Sequence, residues 1–147
     1  MRKPKNVLVF LYRLRNNKIE YCIFYRKKEK FYQGLSGGVE NNEDLIDTVK
    51  REVYEEIKIK VNNIMKLDTI SSIPGISVNK EFNYQNNIYV VYEYAFGICI
   101  DNEKIKLSEE HTEYRWVSFD EAIKLLKYDS NKTALFELNE RLKNRSN

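Results

Sequence analysis

Three glutamates, Glu52, Glu55 and Glu56, stand in the last two turns of a predicted helix behind the glycine-containing loop Gly37-Gly38-Val39-Glu40-Asn41-Asn42-Glu43. At about 100° per residue they fall within an arc of roughly 100°. Ile46, Val49, Val53 and Ile57 form an adjacent apolar stripe, so a packing face lies beside an acidic one. The acids crowd the helix end where the macrodipole disfavours anions. Like charges at i,i+4 add a few tenths of a kcal/mol to that cost. A divalent cation offsets both, and carboxylate oxygens suit the hard ions Mg²⁺ or Mn²⁺. Arg51 is placed i,i+4 from Glu55 and can orient carboxylates through its fork of donors. Glu43 lies at the helix start, too distant along the axis to share an ion with Glu56, and is expected to stabilise the loop–helix arrangement. Gly37 and Gly38 are expected to let the backbone turn tightly and approach phosphate or metal.

The elements around this cluster follow from hydrophobic pattern and turn chemistry. Asn6–Leu14 and Ile19–Arg26 read as hairpin strands around the turn Asn16-Asn17-Lys18. Phe31–Gly38 is a loop or short strand leading into the acidic helix, which Asn41 or Asn42 can cap. Ile64–Ile73 and Ile88–Ile100 are strands, separated by a Pro74-Gly75 turn and a polar loop over Ser77–Asn87. Ile105–Leu107 is strand or loop, and Glu113–Val117 a short strand. Ser118 caps a helix over Phe119–Lys127, with Glu121 completing a capping box, and Asn131–Lys143 is a final helix with Leu135, Leu138 and Leu142 inward. The fold class is α/β, a mixed sheet with helices on both faces.

A length of 147 residues fits one domain over residues 1–147. The net charge of +3 is well mixed, which argues against nucleic acid as a partner. Cys22 and Cys99 lie in apolar stretches and read as buried free thiols, matching a reducing, cytoplasmic location. No signal peptide and no apolar run of about 18 residues is present, so no membrane partner is expected. A single histidine, His111, argues against a Cys/His zinc site or a Ser-His-Asp triad. The basic run Arg26-Lys27-Lys28-Lys30 leads into the glycine loop and places Arg26 among candidate phosphate contacts. Phe31 and Tyr32, beside the loop, are candidates to hold a purine or pterin ring.

A solvated glutamate face is the plain reading of such a helix, but the spacing around it is specific. The run resembles the Nudix hydrolase signature, G-x5-E-x7-R-E-U-x-E-E-x-G-U with U aliphatic. Gly37, Glu43, Arg51, Glu52, Val53, Glu55, Glu56 and Ile59 match, and Lys58 departs where the family has glycine. Phe31-Tyr32-Gln33, Leu35-Ser36-Gly37-Gly38-Val39-Glu40, Glu110-His111 with Tyr114 and Trp116, and Ser130-Asn131 make the chain most similar, within that family, to the bacterial dihydroneopterin triphosphate diphosphatases, also described as dATP pyrophosphohydrolases. The resemblance implies a Nudix α/β/α sandwich that hydrolyses a pterin or nucleoside triphosphate at its diphosphate linkage and releases pyrophosphate. It assigns Glu52, Glu55, Glu56, Glu110 and the Ser36 carbonyl to the metal, and Gln33, Gly37 and Gly38 to substrate alongside Arg26, Phe31 and Tyr32. Glu55 and Glu52, supported by Arg51, lead as catalytic residues, with Glu110 behind them as base. A homodimer is a common family state. Other substrates remain open: 8-oxo-dGTP, a dinucleoside polyphosphate or a nucleotide sugar. A nucleotide-sensing module without turnover is the alternative of another class, against which the retained carboxylates argue.

Overall fold

The computed structural model describes residues 2–101, 104–109 and 113–145. Strand β1 (Arg2–Arg15) is the spine of a seven-stranded mixed sheet. One edge of β1 pairs in parallel with β6 (Val90–Cys99). Its other edge is shared between two antiparallel partners: β2 (Lys18–Arg26) takes the second half and β4 (Leu35–Glu40) the first. Strand β3 (Phe31–Gln33) and strand β7 (Glu113–Val117) add to β2, while β5 (Ile64–Pro74) adds to β6.

Helices cover both faces, so β1 is apolar on both and reads as an unbroken run, Val7 to Tyr12, rather than an alternation. Val7, Val9 and Leu11 pack with Val49, Val53 and Ile57 of α1 (Leu45–Ile57). Leu8, Phe10 and Tyr12 pack on the opposite face with Ala122 of α3 (Phe119–Leu125) and with Ala134, Leu135 and Leu138 of α4 (Asp129–Asn144). This is the expected mixed sheet between helical layers. Among the described residues no helix is long and apolar enough to cross a membrane.

Several expectations change. Phe31–Gly38, expected as a loop or short strand, is strand throughout except at Gly34, and no glycine has a positive φ, so the tight turn expected at Gly37 and Gly38 is not made there. The turn falls at Asn41-Asn42, closed by the Glu43 N–H donating to the Glu40 carbonyl at 3.1 Å. The helix cap is therefore Asp44, reciprocal with Asp47, and not Asn41 or Asn42. Ile46 of the expected apolar stripe is 38% exposed, and Thr48 is buried in the helix instead. Polar Ser77–Asn87, expected as a loop, holds the second half of a short helix, α2 (Gly75–Val78), and a 3₁₀ turn at Tyr84–Asn86. Of the two forms expected for Ile105–Leu107, strand or loop, it takes the loop; Lys106 within it and Ser108 just after it donate backbone N–H groups to Ile57 and Glu56, satisfying orphan carbonyls at the end of α1. Cys22 is buried as expected, but Cys99 is exposed.

Candidate active site

The site starts where β4 crosses α1. Gly37 pairs with Val7, on the α1 side of the sheet, and a Cβ built on Gly37 would overlap the Glu52 carboxyl group. The missing side chain lets that carboxylate lie directly against the strand. Glu52 is consequently only 13% exposed. Burial, reinforced by Glu55 and Glu56, pushes its carboxyl up to about 7, although Arg51 works in the opposite direction.

Arg51 turns all three guanidinium nitrogens toward the protein. Nε and Nη2 donate to the two Glu43 oxygens at 2.6 and 2.8 Å. Nη2 also donates to the Gly38 carbonyl at 2.8 Å, and Nη1 reaches Glu52 at 2.8 Å and Glu55 at 3.4 Å. Glu43 further accepts from the Glu40 N–H at 3.0 Å and the Thr48 hydroxyl at 3.1 Å. The hydrogen bonds from Arg51 hold the Glu43 carboxyl down at about 2 despite some desolvation. The geometry makes Arg51 a positioning residue that ties the start of α1, strand β4 and the acidic end together.

The other two glutamates diverge. Glu55 is 53% exposed. Glu56 is buried and accepts a 2.6 Å hydrogen bond from the Ser108 hydroxyl. Among the described residues no three acidic, histidine or cysteine side chains form a closed metal cage. The donor chemistry nevertheless fits a hard divalent cation: Glu52 is half-buried and its ionised form disfavoured, Glu55 is open to solvent, and no basic residue occupies the last turn of α1. The Ser36 carbonyl belongs to the strand residue just before Gly37. Glu110 lies outside the described residues, as does His111.

On the opposite face of β4 a cavity of ≈ 470 Å³ opens, with Ser36, Gln33, Asn6, Glu93 and Asn131 in its wall. Of the residues expected to hold substrate, Gln33 lines this cavity directly. Phe31 makes an edge contact, 5.2 Å between centroids, with Tyr128, which also lines it. Tyr32 does not line it: its ring packs at a 54° tilt on Tyr25, and its hydroxyl donates to Glu113 at 2.6 Å. Arg26 pairs with Glu29 at 3.2 Å and does not line the cavity. Gly38 faces Arg2, whose guanidinium donates to Asn6.

The NUDIX domain profile matches residues 2–138. The chain belongs to the NUDIX family. A Listeria monocytogenes protein, provisionally assigned as a NUDIX hydrolase, is 41% identical, with 97% of each chain covered and a TM-score of 0.86. The dihydroneopterin triphosphate diphosphatase of Haemophilus influenzae is 27% identical over 135 residues, 89% of this chain and 84% of the relative. The asymmetrical bis(5'-nucleosyl)-tetraphosphatase of Rattus norvegicus is 32% identical over 104 residues, 69% of this chain and 65% of the relative. This NUDIX chain is an enzyme, a hydrolase of phosphorus-containing acid anhydrides.

Three residues of this NUDIX fold, Ser108, Arg2 and Glu93, escape a reading by motif, and Asn131, quoted for the resemblance, has no role assigned by it. Ser108 and Arg2 carry no sequence signal, since only the tertiary fold brings them to Glu56 and to Gly38. Asn131 holds the start of α4 to the β3–β4 junction by accepting from the Gly34 N–H at 2.9 Å. Glu93 did carry a signal: it is an acid inside the apolar strand Val90–Cys99, and it is 6% exposed.

Proposed function

We propose that this NUDIX enzyme hydrolyses a pterin or nucleoside triphosphate at its diphosphate linkage and releases pyrophosphate, with Mg²⁺ (or Mn²⁺) as cofactor. The observation that carries this reading is the Glu52 carboxylate of α1, packed against the bare backbone of Gly37 on β4, the strand whose other face borders the ≈ 470 Å³ cavity. A triphosphate can then span the two faces of β4, ring in the cavity and phosphates toward α1. The relatives support this order of substrates: the diphosphatase of H. influenzae aligns over 89% of the chain, the tetraphosphatase of R. norvegicus over 69%.

Glu52, Glu55 and Glu56 would hold the metal, with the Ser36 carbonyl and Glu110 as further ligands. Bound there, a divalent cation supplies charge neutralisation for phosphate oxygens and acidifies its water. Glu52 and Glu55 are the candidate bases; a carboxyl raised to about 7 is matched to proton acceptance near neutral pH. Arg51 and Glu43 keep these acids aimed at β4. Gly37 and Gly38 admit phosphate close to the strand, and Gln33 and Phe31 border the ring site. Arg26 and Tyr32 serve the β2–β3 hairpin rather than the cavity. The chain acts as one cytoplasmic domain on a small molecule, and a homodimer is compatible with this arrangement.

A panel of dihydroneopterin triphosphate, dATP, dGTP, 8-oxo-dGTP and a dinucleoside tetraphosphate tests the reading, assayed with Mg²⁺ and with chelator. The expected result is Mg²⁺-dependent release of pyrophosphate and the monophosphate. Binding without turnover of any substrate overturns it in favour of a nucleotide sensor.

A further inference from the structure

Glu93 has no part in the chemistry described above, yet it is a carboxylate buried in a cavity wall. It lies at the middle of β6 with 6% of its surface exposed. Asn6 and Ser71 flank it across the sheet, directly opposite on β1 and β5, and both side chains favour its ionised form. Asn6 is itself oriented, because its Oδ1 accepts from Arg2 and its amide nitrogen is thereby left to donate toward Glu93. A buried carboxylate has room for about four hydrogen bonds, and these two partners leave acceptor capacity unused. Among the described residues no arginine or lysine lines the cavity to fill it. The amides of Gln33 and Asn131 line the same cavity, as does a second acid, Asp129. Asn131 spends its oxygen on the Gly34 N–H, and its own N–H reaches only Ser130 at 3.4 Å.

This pattern of acceptors and donors reads a ring. We propose that Glu93 selects the substrate's heterocycle by accepting the two adjacent N–H donors of a 2-amino-4-oxopyrimidine edge, the edge shared by pterin and guanine, and that it rejects adenine. An adenine presents one amino donor beside a ring nitrogen lone pair, and that lone pair would face a carboxylate oxygen. The ring carbonyl of a pterin or guanine accepts from the Asn131 or Gln33 amide. Burial disfavours the ionised form of Glu93, so each N–H it gains is worth more than in water. Mispairing costs correspondingly more, because a site built around hydrogen bonds leaves its polar groups stranded by the wrong ligand. A cavity of ≈ 470 Å³ falls within the range of small-molecule sites.

The inference rests on the hydrolytic reading only for its assay, and the ring preference can be read without turnover. In the unaltered enzyme, kcat/KM for dGTP should exceed that for dITP, which lacks only the 2-amino group, by about 10-fold or more, and dATP should be poorer still. Glu93→Gln should lower kcat/KM for dGTP and dihydroneopterin triphosphate by on the order of 10²-fold while leaving dATP within about threefold. Calorimetric binding of neopterin and adenosine to the unaltered protein supplies the second measurement. Neopterin at least 10-fold tighter supports the assignment even if no triphosphate is turned over, in which case only the hydrolytic reading fails. Equal handling of dGTP, dITP and dATP, or equal binding of neopterin and adenosine, overturns it.

Discussion

Arg51 grips Glu43 with two hydrogen bonds, Nε to one carboxylate oxygen at 2.6 Å and Nη2 to the other at 2.8 Å, across two turns of helix. The pair closes the β4–α1 turn from below and frees Nη1 for the functional acids. It also predicts a pH signature. The Glu43 carboxyl is held at about 2 against 4.5 in an unfolded chain, so the native state binds fewer protons between those values. The stabilisation is complete above pH 4.5 and is lost as pH falls toward 2. Glu43→Gln should lower the denaturant-derived stability at pH 7 by about 1–3 kcal/mol. The gap between the two proteins should shrink steadily below pH 4.5. A gap that stays constant with pH would show that the ion pair contributes nothing specific.

Gly37→Ala separates folding from function. The three atoms nearest an added methyl all belong to the Glu52 side chain beyond its Cβ, which can swing aside at small cost, so the Tm should move by no more than a few degrees. The carboxylate, however, leaves its place against β4. Turnover should fall by 10²-fold or more, since misplacing a reacting group by about 1 Å has that effect. Wild-type kcat/KM in a folded Gly37→Ala protein would show that the contact is incidental.

Glu52 makes the metal requirement measurable without substrate. Its carboxyl is raised to about 7 by burial, so ionisation in the folded state works against stability increasingly above pH 4.5 and fully above pH 7. In chelator at pH 8, Glu52→Gln should therefore unfold at a higher temperature than the unaltered protein, with the difference closing toward pH 4.5. Mg²⁺ at 100 times its Kd should stabilise the unaltered protein by about 2.7 kcal/mol and the variant much less. An identical Mg²⁺ response in both would remove Glu52 from the ligand set. In an assay, the same variant should lose 10³-fold or more of its turnover, because an amide is a poor ligand for a hard cation and no base.

Lys58 ends α1 in the left-handed region, at φ 61° and ψ 33°, with its N–H donating to the Tyr54 carbonyl at 2.9 Å. A family glycine would adopt that conformation without strain. The Lys58 ammonium sits 5.7 Å from the Tyr54 ring centre, a weak exposed compensation. Lys58→Gly should raise stability by about 0.5 kcal/mol, the relief of strain exceeding the entropy that glycine adds to the unfolded chain. Turnover should be unchanged. A loss of stability would mean that the ring contact outweighs the strain.

Much of this protein is legible along the chain, and the reason is periodicity. The paired apolar faces of Val7–Tyr12, the stripe Val49–Val53–Ile57 and the leucines of α4 follow from spacing, because a strand or helix must bury its own apolar side wherever it lies. The acidic run with Arg51 and Glu43 is legible for the same reason, as its geometry is set within one helix. What tertiary structure decided is everything joined across elements. Only the β1–β4 pairing sets Gly37 over Glu52 and decides between the loop and the strand that the sequence allowed there. Only the return of the chain past the end of α1 gives Glu56 its Ser108. Glu93, Asn6 and Asn131 are far apart in sequence and share one cavity wall because β1, β6 and the start of α4 converge there. Local spacing specifies which side chains one element presents; partner choice depends on long-range packing, which no window of sequence contains.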